Sequence, residues 1–222
     1  MKSVTPLIVA GIILVALVAA SIFAVEITTV EGNQIGVKET WDGGVLPDPL
    51  QPKTYVLFPG FTQKVFKYDL SSQVFVMNDA AMDTYGEGRK RDSYLVQSSE
   101  GQDMRISLNI RWRRDPEHIV NLHKTVRENV EEKILRPELM RVVKDQATTR
   151  TALNAYSGEG LVLLQSDISS ALMSPEAELR KRGVIVENFV IEHIGLDPAY
   201  VDQGPTSRGA GTSACDRRDS CS

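Results

Sequence analysis

The chain has 222 residues, 42% of them hydrophobic, and its 25 Lys and Arg against 29 Asp and Glu give a formal net charge of −4. That length suits one domain of ordinary size or two small ones, and apolar residues interspersed with charges of both signs exclude a disordered chain. The balance lacks the basic footprint of a nucleic-acid-binding protein, so no nucleic acid is expected as a partner.

The first predicted element is VTPLIVAGIILVALVAASIFAV, residues 4–25, which carries no charged residue. At about 1.5 Å per residue it spans about 30 Å, the thickness of a bilayer's hydrocarbon core. Residues 6–25 therefore read as a transmembrane signal anchor behind a short N-terminus, residues 1–5. Lys2 precedes the run and Glu26 follows it. The positive-inside rule then puts residues 1–5 in the cytoplasm and the body of the protein on the extracytoplasmic side. The competing reading is a cleaved signal peptide, which shares the basic start but has a shorter apolar core of about 7–15 residues. Ala19-Ala20-Ser21 would be its cleavage site.

Period-two stretches follow. IGVKET (35–40), TYVLF (54–58), QKVFKYDL (63–70) and QVFVM (73–77) are each bounded by Gly, Pro, Asp or Asn, and together they predict a compact antiparallel sheet. GGVLPDPLQPK (43–53) carries Pro47, Pro49 and Pro52; each lacks an amide donor, so this is a loop. A second loop, NDAAMDTYGEGRKRD (78–92), precedes SYLVQS (93–98) and DMRISLNIRWR (103–113). In the last of these Met104, Ile106, Leu108, Ile110 and Trp112 share one face. Arg105, Ser107, Asn109, Arg111 and Arg113 share the other, which makes a half-buried strand with a basic outer face. That outer face is either a subunit contact or simply solvated.

Helical patterns come next. In RDPEHIVNLH (114–123) Asp115 suits an N-cap and Pro116 the first helical position, with Ile119, Leu122 and Val126 at helical spacing. Residues 137–156 carry one apolar stripe of Leu139, Val142, Val143, Ala147 and Leu153. Residues 158–183 place Leu161, Leu164, Ile168 and Leu172 at the same spacing; Pro175 predicts two helices or a bend, and Gly183 ends the pattern. VIVENFVIEHIG (184–195) has the β-branched content of a strand returning to the sheet. Strands, then helices, then a strand predict an α+β fold.

TTVEGNQIGVKETWDGG, VLFPGFTQKVFKYDLSSQVF, SSEGQDMRISLNIRWR with DPEHI, RPELMRVVKDQATTRTALNAY and ELRKRGVIVENFVIEHIGL occur in that order behind the anchor. The chain thereby resembles the stomatin, prohibitin, flotillin and HflK/C superfamily, and is closest in layout to its prohibitin-like members. The resemblance implies an N-terminal transmembrane helix, an SPFH (band 7, prohibitin homology) domain over residues 26–203 with antiparallel strands packed against helices, and the start of a C-terminal helix. It also implies a non-enzymatic scaffold. Its expected partners are the lipid bilayer, homo- or hetero-oligomers with related SPFH proteins, and a membrane AAA protease whose access to substrates is restrained. The alternative is a tethered adaptor or regulator of a channel or protease that forms no cage.

The residues agree with a scaffold: no catalytic, cofactor-binding or metal-ligating residue is expected, and no cofactor. His118 and His123 are five apart and do not stack on one helix face as a zinc pair would, so they read as surface or core histidines. Gly158-Glu159-Gly160 lacks the lysine and spacing of a phosphate loop and reads as a turn. Neither G-x-S-x-G nor H-E-x-x-H occurs. Arg89-Lys90-Arg91 is short of a lipid-binding basic cluster and reads as a solvated loop. The mixed charges of residues 124–145 read equally as exposed ion pairs or as determinants of subunit register.

In this superfamily a long coiled coil begins near the position of Asp197-Pro198, but Gly204 and Pro205 would end such a helix here. Residues 204–222, GPTSRGAGTSACDRRDSCS, have no heptad pattern and hold both cysteines, Cys215 and Cys221. Their C-x5-C spacing with no later histidine argues against a metal site. This tail is expected to be either disordered or the product of a frameshift that replaced the coiled coil.

Overall fold

The computed structural model describes residues 11–16, 26–40, 42–57, 63–78, 92–197 and 200. The chain forms two compact units, one from Met1–Ser71 with Arg114–Glu128 and the other from Ser72–Arg113 with Asn129–Ser222.

The first unit is built on two antiparallel ribbons. Strand β1 (Glu26–Thr29) pairs with β3 (Thr54–Leu57), and β2 (Gln34–Thr40) pairs along its whole length with β4 (Gln63–Asp69). Alternation puts Ile35 and Val37 on one face, and the register places Tyr68 and Phe66 directly opposite them. Helix α1 (Ile119–Thr125) packs against β2. On the other face of β2, Gly36 is needed for close approach: a Cβ there would lie 3.1 Å from both Leu50 Cβ and Val65 Cγ1. The proline-bearing segment is a loop, as expected, meeting β2 in isolated bridges at Gly36↔Leu50 and Glu39↔Val45. Asp115 caps the approach to α1, its Oδ1 accepting from the Glu117 amide at 3.1 Å, although the helix proper starts at Ile119.

The second unit holds a four-stranded sheet. Its long strand β7 (Asp103–Arg114) pairs antiparallel with β5 (Gln73–Met77) over one half and with β6 (Tyr94–Gln97) over the other, and β8 (Val184–Leu196) also pairs with β7. Met104, Ile106, Leu108, Ile110 and Trp112 are all 0% exposed, as the alternation predicts. Each such side chain contributes about 1.5–3 kcal/mol by leaving water. The helices α2 (Arg136–Ala147), α3 (Ala152–Tyr156), α4 (Gly158–Met173) and α5 (Glu178–Lys181) follow, with a π-helical turn, Glu131–Leu135, leading into α2. Helices α3, α4 and α5 pack on β8, and α2 packs on β6 and α4. This is the α+β order read from the sequence.

Two expectations need correction. The sequence pattern grouped β2, β3, β4 and β5 in one sheet, whereas β3 pairs with β1, β2 pairs with β4, and β5 pairs with β7 in the second unit. Alternation shows which face of a strand is buried; it carries no information on the pairing partner. Here Phe75 and Met77 meet Ile110 and Leu108 across the ladder. The single stripe expected over residues 137–156 is broken. The hydroxyls of Thr148 and Thr149 bond back to the carbonyls of Lys144 (3.0 Å) and Gln146 (2.8 Å) at the end of α2. Thr151 then caps α3, its side chain accepting from the Asn154 amide at 3.3 Å. The restart changes the helical phase, so Ala152 and Ala155 are buried and Leu153 is only half-buried.

Among the described residues no helix is long and apolar enough to cross a membrane. Of the predicted anchor only residues 11–16 are described, as helix with Ile12, Ile13, Leu14 and Val15 exposed. The rest of it, residues 79–91 of the second loop, and the tail lie outside the described residues.

Candidate functional site

The two histidines singled out in the sequence have separate environments. His118 is part-exposed, with Nδ1 3.1 Å from Asp115 Oδ2. Asp115, Glu117 and His118 bring their ligand-type atoms within 4.8 Å of one another. Their bonds are those of a helix entry: Asp115 accepts from the Glu117 amide and holds His118 on the same turn.

His123, in the first unit, is 0% exposed. It follows Leu122 and lies one turn beyond Ile119, so α1 turns all three toward the β2–β4 ribbon. There Nδ1 lies 2.5 Å from the Tyr68 hydroxyl, the ring centroid is 4.8 Å from that of Phe66, and Nε2 is buried with no hydrogen-bond partner among the described residues. Two guanidinium groups flank the cluster: Arg114 is 5.9 Å from the centre of the Tyr68 ring and Arg127 is 5.4 Å from that of Phe66. Arg127 also pairs with Glu39 of β2. Arg127 adopts φ +60, the left-handed conformation that glycine usually supplies after a helix. That costs about 1 kcal/mol for a residue with a side chain, offset by its contacts with Glu39 and Phe66. Sequence periodicity named Ile119, Leu122 and Val126 but passed over His123, although a 3.6-residue stripe through the first two includes it.

Burial, and then the positive charge of Arg127, hold the His123 pKa below its ordinary value, while Glu39 opposes them. Burial raises that of Tyr68, partly countered by Arg114 and Arg127, with Glu128 and Glu39 adding to the rise. A depressed histidine pKa means that the folded state binds the proton less readily than the unfolded chain. Stability is therefore unaffected above about pH 6.5, the unfolded value, and falls as pH drops below it, by at most about 1.4 kcal/mol per pH unit. Urea midpoints of the full chain at pH 7.5, 6.5 and 5.5 should show this slope. His123→Phe should be less stable at neutral pH, with Tyr68 deprived of its partner, but should lose less between pH 6.5 and 5.5. Parallel slopes for the two proteins would remove the burial argument.

In the second unit, Gly158 and Gly160 lie within the first turn of α4 rather than in a turn ahead of it. Gly158 has φ +65, and a Cβ on Gly160 would overlap Asn154. The mixed charges near α2 form ion pairs along the helical chain: Arg141 with Glu138 and with Asp145 at 2.9 Å, and Arg136 Nε with Glu132 at 2.9 Å. Arg136 also makes a two-pronged contact with Asp92, at 2.9 and 2.8 Å, and its guanidinium lies 5.5 Å from the centre of the Phe75 ring. Asp92 is the one residue of the basic-loop segment 87–92 that is described. On the outer face of β7, Arg113 Nε lies 3.1 Å from Glu187, and Asn109 donates to Glu192 at 2.9 Å.

Among the described residues of this unit, two hollows stand out. One, of about 590 Å³, is lined by Leu95, Arg105, Gly195, Leu196 and polar neighbours at one end of β7. The other, of about 410 Å³, runs between α2 and the end of α4 with α5. Among the described residues neither is lined by a histidine or cysteine.

No curated protein matches the chain significantly. A family model described as SPFH domain / Band 7 family matches residues 28–204, from within β1 to beyond β8. With both units under that match, the chain belongs to the SPFH domain / Band 7 family.

Proposed function

We propose that this protein is a membrane-anchored oligomeric scaffold of the prohibitin type, one that organises a membrane microdomain and regulates a membrane AAA protease. The observation that carries the reading is the family match over residues 28–204 directly behind an uncharged run of bilayer length, residues 4–25. SPFH proteins are generally non-enzymatic scaffolds that assemble and associate with membranes. The single lysine ahead of the run supports a cytoplasmic N-terminus with the SPFH domain on the extracytoplasmic side. A tethered adaptor that closes no cage is the second reading, favoured by residues 204–222, in which no heptad pattern is written.

Detergent extraction followed by native mass measurement tests both. A megadalton particle is the expected result for a cage and a particle of a few copies for the adaptor. A chain recovered in the soluble fraction without detergent would overturn both. Protease added outside intact cells should degrade the domain; protection until the cells are opened would reverse the orientation.

A further inference from the structure

Helix α4 buries Leu164, Ile168 and Leu172 against its own unit, yet its solvent side is also apolar. Val162 is 66% exposed, Leu163 is 49% exposed, and Met173 is exposed a further three turns along. At about 100° per residue Val162, Ser166, Ser170 and Met173 fall on one side of the helix, with Leu163 at its margin. A helix that covers a core with one face ordinarily carries charges on the other. This one has no lysine or arginine anywhere, and its two acids are Glu159 and Asp167. Asp167 pairs with Arg150, whereas Glu159 is exposed and has no ion pair or hydrogen bond among the described residues.

The outer face of the sheet in the same unit has the opposite character in charge and the same in apolarity. Val74 of β5 stands opposite Arg111 of β7, Val76 opposite Asn109, and Leu95 of β6 opposite Arg105. Val74 is 56% exposed and Leu95 49%, with Val76 exposed between them, while the alternate residues Phe75 and Val96 are buried. Arg113 pairs with Glu187 on this face, but the exposed Arg105 and Arg111 have no ion pair or hydrogen bond among the described residues. The result is an apolar row beside two unpaired cations. A single exposed valine needs no explanation; two rows of three large apolar side chains on one unit do.

The two surfaces also match in extent. Arg105 to Arg111 is six strand steps, about 20 Å. Val162 to Met173 is eleven helical steps, about 16 Å. We propose that the solvent face of α4 in one copy of this chain packs on the outer face of the β5–β7–β6 sheet in the next, with Val162, Leu163 and Met173 covering Val74, Val76 and Leu95. The occupant is a second copy because both halves of the contact, apolar rows of similar length with acid on one and free arginine on the other, are written in the same chain. The two patches differ, so the contact is head-to-tail. Each copy keeps one of each patch for its neighbours, and the contact repeats into a ring or a filament. The inference rests on the scaffold reading, to which it adds the surfaces that join the copies.

The test uses full-length chains in which Cys215 and Cys221, the two native cysteines, are replaced by serine. One tagged chain carries Val76→Cys and a differently tagged chain carries Ser166→Cys; the two are coexpressed and treated with a short bismaleimide in the membrane extract. The expected result is a cross-linked product bearing both tags, absent when either chain is expressed alone. Arg105→Glu with Arg111→Glu in the first chain should cut its yield at least fivefold, and Glu159→Arg in the second should restore part of it. Lys144→Glu, an exposed charge reversal on α2, should leave it unchanged. No product carrying both tags from particles of many copies would overturn the proposal and leave the scaffold reading standing. A parent chain that is a single copy by native mass would overturn both. Cross-linking of either chain with itself would make the contact two-fold rather than head-to-tail, and an undiminished yield after both arginine reversals would remove the charge match; each overturns the proposal.

Discussion

Trp112→Ala is expected to destabilise the second unit by about 3–5 kcal/mol, the usual result of emptying a buried aromatic site. Trp112 is 0% exposed at the end of an unbroken row that begins at Met104. It lies opposite Gln73 of β5, so its loss opens the β5–β7 ladder as well as the core. A domain's whole stability is of order 5–15 kcal/mol, and the variant should therefore be largely unfolded at moderate urea. The matched control is Arg111→Ala, one residue earlier on the outward face, which should shift stability by no more than about 0.5 kcal/mol. Urea denaturation of the two full-length variants followed by far-ultraviolet circular dichroism reads the difference. Similar losses from both would mean that the strand does not separate buried and exposed faces as described.

Gly160→Ala should cost about 1–3 kcal/mol or more, although alanine is ordinarily the better helix former. A Cβ at this position would collide with both the side-chain oxygen and the carbonyl oxygen of Asn154, and would lie 2.8 Å from the carbonyl carbon. Helices α3 and α4 would have to separate. Adding Asn154→Ala should recover only part of the loss, since the carbonyl oxygen stays in place. Full recovery would locate the clash in the side chain alone. Gly158→Ala should cost about 1–2 kcal/mol for another reason, its φ of +65. A Gly160→Ala variant as stable as the parent would refute the close approach.

Much of the fold was legible because most of its signals are local. The alternation from Met104 to Trp112 predicted every buried residue of that row, and Pro175 and Gly183 marked the ends of α4 and α5. The break between α2 and α3 was harder to see. It depends on threonine hydroxyls competing for backbone carbonyls, a choice that helical periodicity does not register. The hollow between α2 and the end of α4 was not legible at all. Its lining comes from α2, the end of α4 and the α5 region, stretches separated by tens of residues.

By itself the sequence determined the fold class, the buried face of the long strand β7, the membership of the SPFH family and the uncharged run ahead of the domain. These follow from periodicity, from turn residues and from motifs in order, all properties of neighbouring residues. The tertiary structure alone decided that β5 pairs with β7, that His123 is enclosed by Tyr68 and Phe66, and that α2, the end of α4 and α5 line one hollow. Strand partners and the sites between elements are chosen by which apolar faces meet at long range. One strand's pattern records that a face must be covered and leaves open what covers it.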